Sequence, residues 1–217
     1  MEYRAEVSSV AGFVQQLAVC YVGKGYWFYV AGRVPQGKAP EAVDAKLISR
    51  YGIDISKWTR ARRKLAGSAN LQYLRHGRYF VLLSTHGRHI FFDEEKASIR
   101  DVRRVPIRFH GYSISYRGGH PHVRIEQVRY KELKSYFVSL ALHRDAAGLE
   151  KQLAAVPFEP YAPIRRQLLC ILRAVNRERR AVGLAAVESN CFRFKRRVYR
   201  PFENPGLPAD AQLPELA

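Results

Sequence analysis

Two histidines near the middle of the chain are spaced for metal or phosphate chemistry. The segment Gly118–Glu126 reads GGHPHVRIE, with one residue between His120 and His122. If this segment is a β-strand, alternate side chains share a face, so the two imidazoles would lie side by side. Imidazole nitrogens bind divalent transition metals, and a third ligand from elsewhere would complete a site. The alternative is a strand that follows a Gly-Gly turn and exposes both histidines to phosphate or solvent.

The HPH triplet at 120–122 resembles the His-hydrophobe-His motif of HUH endonucleases, a group that includes rolling-circle initiators, relaxases and single-strand transposases. The resemblance implies a divalent metal, Mg²⁺ or Mn²⁺, and a tyrosine on a nearby helix that attacks a DNA phosphate. Tyr130 and Tyr136 lie just downstream and are the candidate nucleophiles. The chain departs from the motif in its middle proline. In the relaxase form the second ligand position would be Arg124, and arginine does not bind metals.

A further group of possible ligands combines His86 and His89 with the acidic run Asp93–Glu95. Carboxylates suit hard ions such as Mg²⁺, which assists phosphodiester cleavage. The same acids also suit the first turn of a helix, because negative charge there interacts favourably with the helix dipole. We favour the helix start.

Residues 42–85 are predicted to form a helix, a turn, a basic helix and a two-stranded ribbon. This order resembles that of winged helix-turn-helix proteins, in which the second helix enters the major groove. Its bases would be Lys57, Arg60, Arg62, Arg63 and Lys64. Arg60 or Arg63 could reach a guanine edge, and Arg75 and Arg78 in the ribbon would contact the nucleic acid as a wing. The alternative is a solvated helix face beside an ordinary hairpin.

The C-terminal part is predicted to carry two basic ridges that bind phosphates. The helix predicted over Ile164–Val182 has apolar residues at helical spacing and arginines on the rest of its surface. These arginines are Arg165, Arg166, Arg173, Arg177, Arg179 and Arg180. A predicted strand over Cys191–Tyr199 and the residue after it add Arg193, Lys195, Arg196, Arg197 and Arg200. The planar guanidinium group suits phosphate recognition better than an ammonium group does.

The overall charge supports a polyanionic partner. The 217 residues include 37 Lys and Arg against 19 Asp and Glu, a formal net charge of +18. Such an excess destabilises a compact protein by self-repulsion unless a counter-charge is bound. We find no signal peptide and no apolar run near the length of a membrane span, so we expect no membrane partner. Three widely separated cysteines, without a CxxC pair, predict buried thiols in a reducing, cytoplasmic compartment.

The elements that would position these residues indicate an α+β protein. We expect an N-terminal helical, winged-helix-like region at 1–88, then a basic region at 89–200 with a small antiparallel sheet packed by two helices. The tail at 201–217 is expected to be disordered. Helices are predicted at 8–21, 41–51, 57–69, 131–143, 148–156 and 164–182, and strands at 26–30, 72–74, 79–83, 89–92, 104–109, 112–116, 122–127 and 191–199.

The predicted function is binding of DNA or RNA, chiefly through phosphates, in the context of a mobile element, plasmid or defence system. Binding of this kind needs no cofactor. One alternative is a metal-dependent nicking endonuclease or transposase that uses His120, His122 and a tyrosine. Another is a structural subunit that packs with other proteins in a ribonucleoprotein.

Overall fold

The N-terminal helix packs into the core, as its apolar spacing predicts. The computed structural model describes residues 3–202 of the 217-residue chain. Helix α1 (Val10–Gln15) begins at Ser9, whose hydroxyl accepts a hydrogen bond from the Gly12 N–H at 3.1 Å. The helix continues through a π-helical turn (Gln16–Tyr21) and a 3-10 turn (Val22–Lys24).

The first sheet contains four antiparallel strands in the order β2-β3-β1-β4. The strands are β1 (Phe28–Arg33), β2 (Leu71–His76), β3 (Tyr79–Ser84) and β4 (Arg100–Asp101). Helices α2 (Pro40–Arg50) and α3 (Lys57–Leu65) lie between β1 and β2 in sequence, and α4 (Phe91–Glu94) lies between β3 and β4. The hairpin predicted after the basic helix is therefore present as β2 and β3.

Both faces of this sheet are covered. Along β3, Val81 and Leu83 enter a large hydrophobic cluster that contains Phe13 of α1. Leu82 enters a smaller cluster, against which Leu47 of α2 packs. Helices α1 and α2 therefore pack on opposite faces of the sheet. The order of elements is the predicted one, while the winged helix-turn-helix itself remains a prediction.

The second sheet contains three antiparallel strands in the order β5-β6-β7. They are β5 (Ile107–Phe109), β6 (Tyr112–Arg117) and β7 (His120–Ile125). Gly118 and Gly119 form the two-residue turn between β6 and β7, with φ of 57° and 82°. Two successive positive φ angles belong to a tight hairpin turn that glycine adopts without strain. The predicted Gly-Gly turn thus sets the start of β7.

Three helices complete the fold: α5 (Gln127–Leu140), α6 (Ala146–Ala154) and α7 (Ala162–Ala181). Buried residues of α7, such as Leu168 and Ile171, join the cluster that contains Phe13 and Val81. The described residues thus form a mixed α and β fold with seven α-helices and two small antiparallel sheets, which confirms the predicted fold class. One hydrophobic cluster draws on both predicted regions, and the boundary near residue 88 remains a prediction.

Two predicted strands are wrong. The strand expected at 89–92 is a turn that leads into α4, because the His89 ring accepts a hydrogen bond from the Phe91 N–H at 3.1 Å. The strand expected at 191–199 begins as a 3-10 turn (Ser189–Cys191) and continues without regular structure. Its groups bind Glu159 instead of a neighbouring strand: the Arg197 N–H donates to this carboxylate at 3.2 Å.

Two further predictions concern the cysteines and the tail. Cys20 and Cys170 are exposed and Cys191 is partly buried, so the prediction of buried thiols is wrong for the first two. Both occupy helical positions on the solvent side. The tail predicted to be disordered lies outside the described residues from position 203 onward.

Candidate nucleic-acid interface

Strand β7 separates its side chains into an apolar and a basic face. Val123 and Ile125 are buried in the core, whereas the alternating residues point to the other side of the sheet. The register pairs His120 with Arg117 and His122 with Ser115. We define the β6–β7 basic face as Arg117, His120, His122 and Arg124. Among the described residues, none of these four belongs to a hydrophobic cluster.

Helix α7 presents a row of arginines to solvent. Its apolar residues, including Ile164 and Val175, are buried in the core. Arginines at 166, 173, 177 and 180 are exposed, and their spacings of seven, four and three residues place them on one side of a helix. We define these four as the α7 arginine stripe. At 1.5 Å per residue the stripe is about 21 Å long.

A side-chain amide joins α7 to β7. The Ile125 N–H donates to the Gln167 side-chain oxygen at 2.8 Å, and the Gln167 amide donates to the Ile125 carbonyl at 3.0 Å. These two bonds fix α7 along the free edge of β7. Arg166, the exposed neighbour of Gln167, therefore lies beside the edge of β7. The positive charge of Arg166 is one of the causes that lower the pKa of His122. The α7 arginine stripe thus begins next to the strand that carries the β6–β7 basic face.

His122 lies in a strongly cationic environment. Its Nδ1 atom is buried and has no hydrogen-bond partner within the described protein. The pKa of His122 is lowered from the ordinary histidine value, first by burial and then by repulsion from Arg117, Arg124, His120 and Arg166. Such surroundings repel a divalent cation and attract an anion.

The side chains near His120 and His122 also offer few ligands for the metal site suggested by the sequence. Within residues 3–202, no group of three or more His, Cys, Asp or Glu side chains is arranged to hold a metal ion. His120 is exposed, and its Nδ1 atom is 2.9 Å from the Gly118 carbonyl. Apart from His120, the charged side chains that act on His122 are guanidinium groups, which do not act as metal ligands.

The two candidate tyrosines of α5 lie in different places. Tyr130 is partly buried and packs against the large hydrophobic cluster. Burial is the largest cause of the raised pKa of Tyr130, and Arg124 opposes it. Tyr136 is exposed, and its ring contacts Phe137 at a centroid distance of 5.3 Å. The two tyrosines therefore lie in different surroundings, one packed against the core and the other exposed.

The acidic run at 93–95 has a structural role. Asp93 and Glu94 lie in the first turn of α4, as the helix-start interpretation predicts. Glu94 accepts a hydrogen bond from Arg50 at 2.8 Å, and Glu95 accepts one from the Tyr51 hydroxyl at 2.8 Å. These carboxylates connect α4 to α2.

Arg75 and Arg78 do not form the predicted wing. The Arg75 side chain is only 3% exposed and donates to both carboxylate oxygens of Asp44, at 2.8 and 3.0 Å. The Arg78 guanidinium donates to the carbonyls of Val34, Pro35 and Lys38. Both arginines bind groups of their own protein: Arg75 is buried and does not belong to the candidate surface, and Arg78 has a structural role.

The bases of α3 point in two directions. Lys57, Arg62 and Lys64 are exposed. Arg60 donates to the Ile53 carbonyl and Arg63 to the Gly52 carbonyl, each at 3.2 Å. The two arginines expected to reach a guanine edge therefore face the loop that precedes the helix.

The C-terminal bases are partly engaged within the protein. Arg193 forms an ion pair with Glu159, and the Arg196 guanidinium lies over the Tyr161 ring at 4.8 Å. Arg165 donates to the carbonyls of Pro160 and Phe194. Lys195 and Arg197 are exposed and remain available for an external anion.

Sequence reasoning missed two members of the surface. Arg117 is not among the residues that the sequence patterns single out, and Arg124 enters there only as an unsuitable metal ligand. Strict alternation across the Gly118–Gly119 turn would have identified both, because residues opposite each other in a hairpin share a face.

Among residues 3–202, no helix is long and apolar enough to cross a bilayer. No protein family matches the chain in a comparison with family models, and no curated protein matches it in a sequence comparison. The function of this protein is therefore inferred from the geometry of the surface.

Proposed function

We propose that this protein binds nucleic acid through phosphate contacts made by the β6–β7 basic face and the α7 arginine stripe. The observation that carries this proposal is the pair of hydrogen bonds between Gln167 and Ile125, which place the exposed Arg166 beside the edge of β7. We also propose that the protein is cytoplasmic, because its three cysteines are free thiols, which are typical of a reducing compartment.

The shape and chemistry of the surface suit a phosphate backbone. Guanidinium groups bind phosphate oxygens with two parallel hydrogen bonds. The stripe is about 21 Å long, which corresponds to the rise of about six base pairs at 3.4 Å each. Within the stripe, only Arg177 has a carboxylate partner on the same helix, Glu178 at 2.9 Å. A row of this length contacts several phosphates at once.

The sequence alternative of a nicking endonuclease receives less support. It requires a divalent ion at His120 and His122, and the positive charges of Arg117, Arg124 and Arg166 already act to lower the pKa of His122. With Mn²⁺ added, we expect purified protein to leave supercoiled and single-stranded DNA uncut. Nicking that is lost in His122→Ala would favour the endonuclease.

The first test is the salt dependence of binding. The logarithm of the association constant should fall linearly with the logarithm of the salt concentration. If the protein contacts four or more phosphates, the slope of this line should be about −3 or steeper. Fluorescence anisotropy with labelled DNA and RNA oligonucleotides, at salt concentrations from 50 to 300 mM, measures this slope. A flat response would contradict the proposal.

The second test is the pH dependence that His122 should create. Its pKa is lowered in the free protein, and a bound phosphate should raise it, so binding takes up a proton. Affinity should therefore increase as the pH falls from about 7.5 to 5.5. The increase is up to about tenfold for each unit by which the bound phosphate raises the pKa of His122. The same lowered pKa means that the free protein loses stability as pH falls below the ordinary histidine range, because the unfolded chain binds the proton more tightly.

Anisotropy titrations at constant ionic strength measure this effect. His122→Gln should flatten the pH profile, whereas His86→Gln, on a residue outside the surface, should leave it unchanged. An unaltered profile in His122→Gln would show that another group takes up the proton.

A further inference from the structure

Helix α3 turns its apolar side toward solvent. Trp58 is 79% exposed and Leu65 is 88% exposed, and α3 contains no buried residue. Most helices of globular proteins bury their apolar stripe against the core. The exposed side of α3 is therefore a surface that a partner can cover.

Polar contacts on the inner side hold the helix in this orientation. Arg60 and Arg63 donate to carbonyls of the preceding loop, and the Asn70 side chain donates to the Arg60 carbonyl at 3.0 Å. The Ser56 hydroxyl caps the helix by accepting from the Thr59 N–H at 3.1 Å. The outward position of Trp58 thus follows from bonds made by other residues.

The exposed side combines an aromatic ring with positive charge. Trp58, Ala61 and Leu65 are spaced three and four residues apart and form one stripe. Lys57, Arg62 and Lys64 are also exposed, and α3 contains no acidic residue. The complementary partner has planar apolar faces close to negative charges, as in a nucleotide whose base is unpaired.

We propose that α3 is a second contact surface that binds unpaired bases of single-stranded nucleic acid, with Trp58 stacking on a base. The inference rests on the proposed function and specifies its substrate. In a duplex the faces of the bases are covered by their neighbours, so an indole ring on the protein surface cannot stack on them without unstacking the duplex. Trp58 therefore distinguishes single strands, or duplexes with single-stranded segments, from plain duplexes.

Tryptophan fluorescence gives a direct test, because the sequence contains only two tryptophans. The other one, Trp27, packs against Tyr116 at a centroid distance of 5.2 Å and lies beneath Arg103. In the full chain carrying Trp27→Phe, Trp58 is the sole reporter. We expect oligo(dT) to quench its emission at saturation, and a blunt duplex of equal length to leave it nearly unchanged.

Affinity measurements complete the test. Trp58→Ala should weaken oligo(dT) binding about 5- to 160-fold and leave duplex affinity unchanged, as expected for one lost stacking interaction. Trp58→Phe retains a ring and should recover part of the loss. Because Trp58 is exposed, both variants should keep the wild-type thermal unfolding midpoint.

Three outcomes separate this inference from the proposed function. If Trp58→Ala binds oligo(dT) as well as the wild type does, the inference about α3 is wrong even when binding remains salt-dependent. If Arg173→Ala changes neither the oligo(dT) affinity nor the duplex affinity while oligo(dT) still quenches Trp58, the proposal that α7 binds nucleic acid is wrong. The inference about α3 then stands. If Trp58→Ala converts a dimer to a monomer in light scattering without changing oligo(dT) affinity, a second copy covers the stripe and the inference is overturned.

Discussion

Replacing Asp44 with alanine should lower the free energy of unfolding by about 3–5 kcal/mol. The Asp44 carboxylate is 11% exposed and pairs with Arg75, which is 3% exposed. It also accepts a hydrogen bond from the Tyr73 hydroxyl at 2.6 Å. Loss of the carboxylate would leave the buried guanidinium without its most buried partner, with only Glu6 and the exposed Glu41 to balance its charge, and this weaker compensation is the main cost. The remaining carboxylate within 3.0 Å belongs to Glu6, which is half exposed.

Urea denaturation monitored by circular dichroism measures this loss. Glu41→Ala is the matched control, since Glu41 is 74% exposed and lies 3.4 Å from the same guanidinium. An exposed pair of this kind contributes at most about 1 kcal/mol. The double variant Asp44→Leu, Arg75→Met should recover much of the stability, because no buried charge remains. Equal losses in Asp44→Ala and Glu41→Ala would refute the assignment of Asp44 as the principal partner.

The second large effect concerns affinity. The triple variant Arg166→Ala, Arg173→Ala, Arg180→Ala removes three members of the α7 arginine stripe and keeps Arg177, which pairs with Glu178. Each lost phosphate contact lowers the salt slope by about 0.9, so the slope should fall by about 2.7. At 0.1 M salt this change in slope corresponds to a loss of affinity of about five-hundredfold, provided that the association constant extrapolated to 1 M salt is unchanged.

A control variant must lose the same net charge elsewhere. Lys38, Lys46 and Lys96 are exposed and lie outside both defined surfaces. Their combined replacement by alanine should reduce affinity only slightly, because the screening length is about 10 Å at 0.1 M salt. If both triple variants lose affinity equally, the overall charge of the protein drives binding, and the α7 stripe has no special part in it.

Local patterns were sufficient to predict the parts of the surface that depend on one element. The 3.6-residue period of α7 predicted which side is buried, and with it the exposed positions of Arg173 and Arg180. The prediction is wrong for Arg179, which is buried and donates to the carbonyls of Ala141, Arg144 and Ala185. The Gly118–Gly119 turn and strand alternation predicted that His120 and His122 share a face. These inferences succeed because the relevant contacts lie within a few residues.

Contacts between distant residues were not predictable in the same way. The role of Arg75 depends on Asp44, which lies 31 positions earlier on another element. The Cys191–Tyr199 segment contains suitable strand residues, but Glu159 binds its Arg193 and Tyr199 side chains, so the backbone does not join a sheet. Charge alone does not distinguish an arginine that binds a partner from one that binds its own protein.

The amide of Gln167 has a consequence for how molecules of this protein behave toward one another. Strand β7 lies at the edge of its sheet, and an unpaired edge is a template onto which another chain can add a strand. Gln167 occupies both backbone hydrogen-bonding groups of Ile125 and thereby imitates a neighbouring peptide unit. The same side chain that aligns α7 with β7 thus also blocks the pairing of this strand edge with another molecule, which disfavours edge-to-edge aggregation.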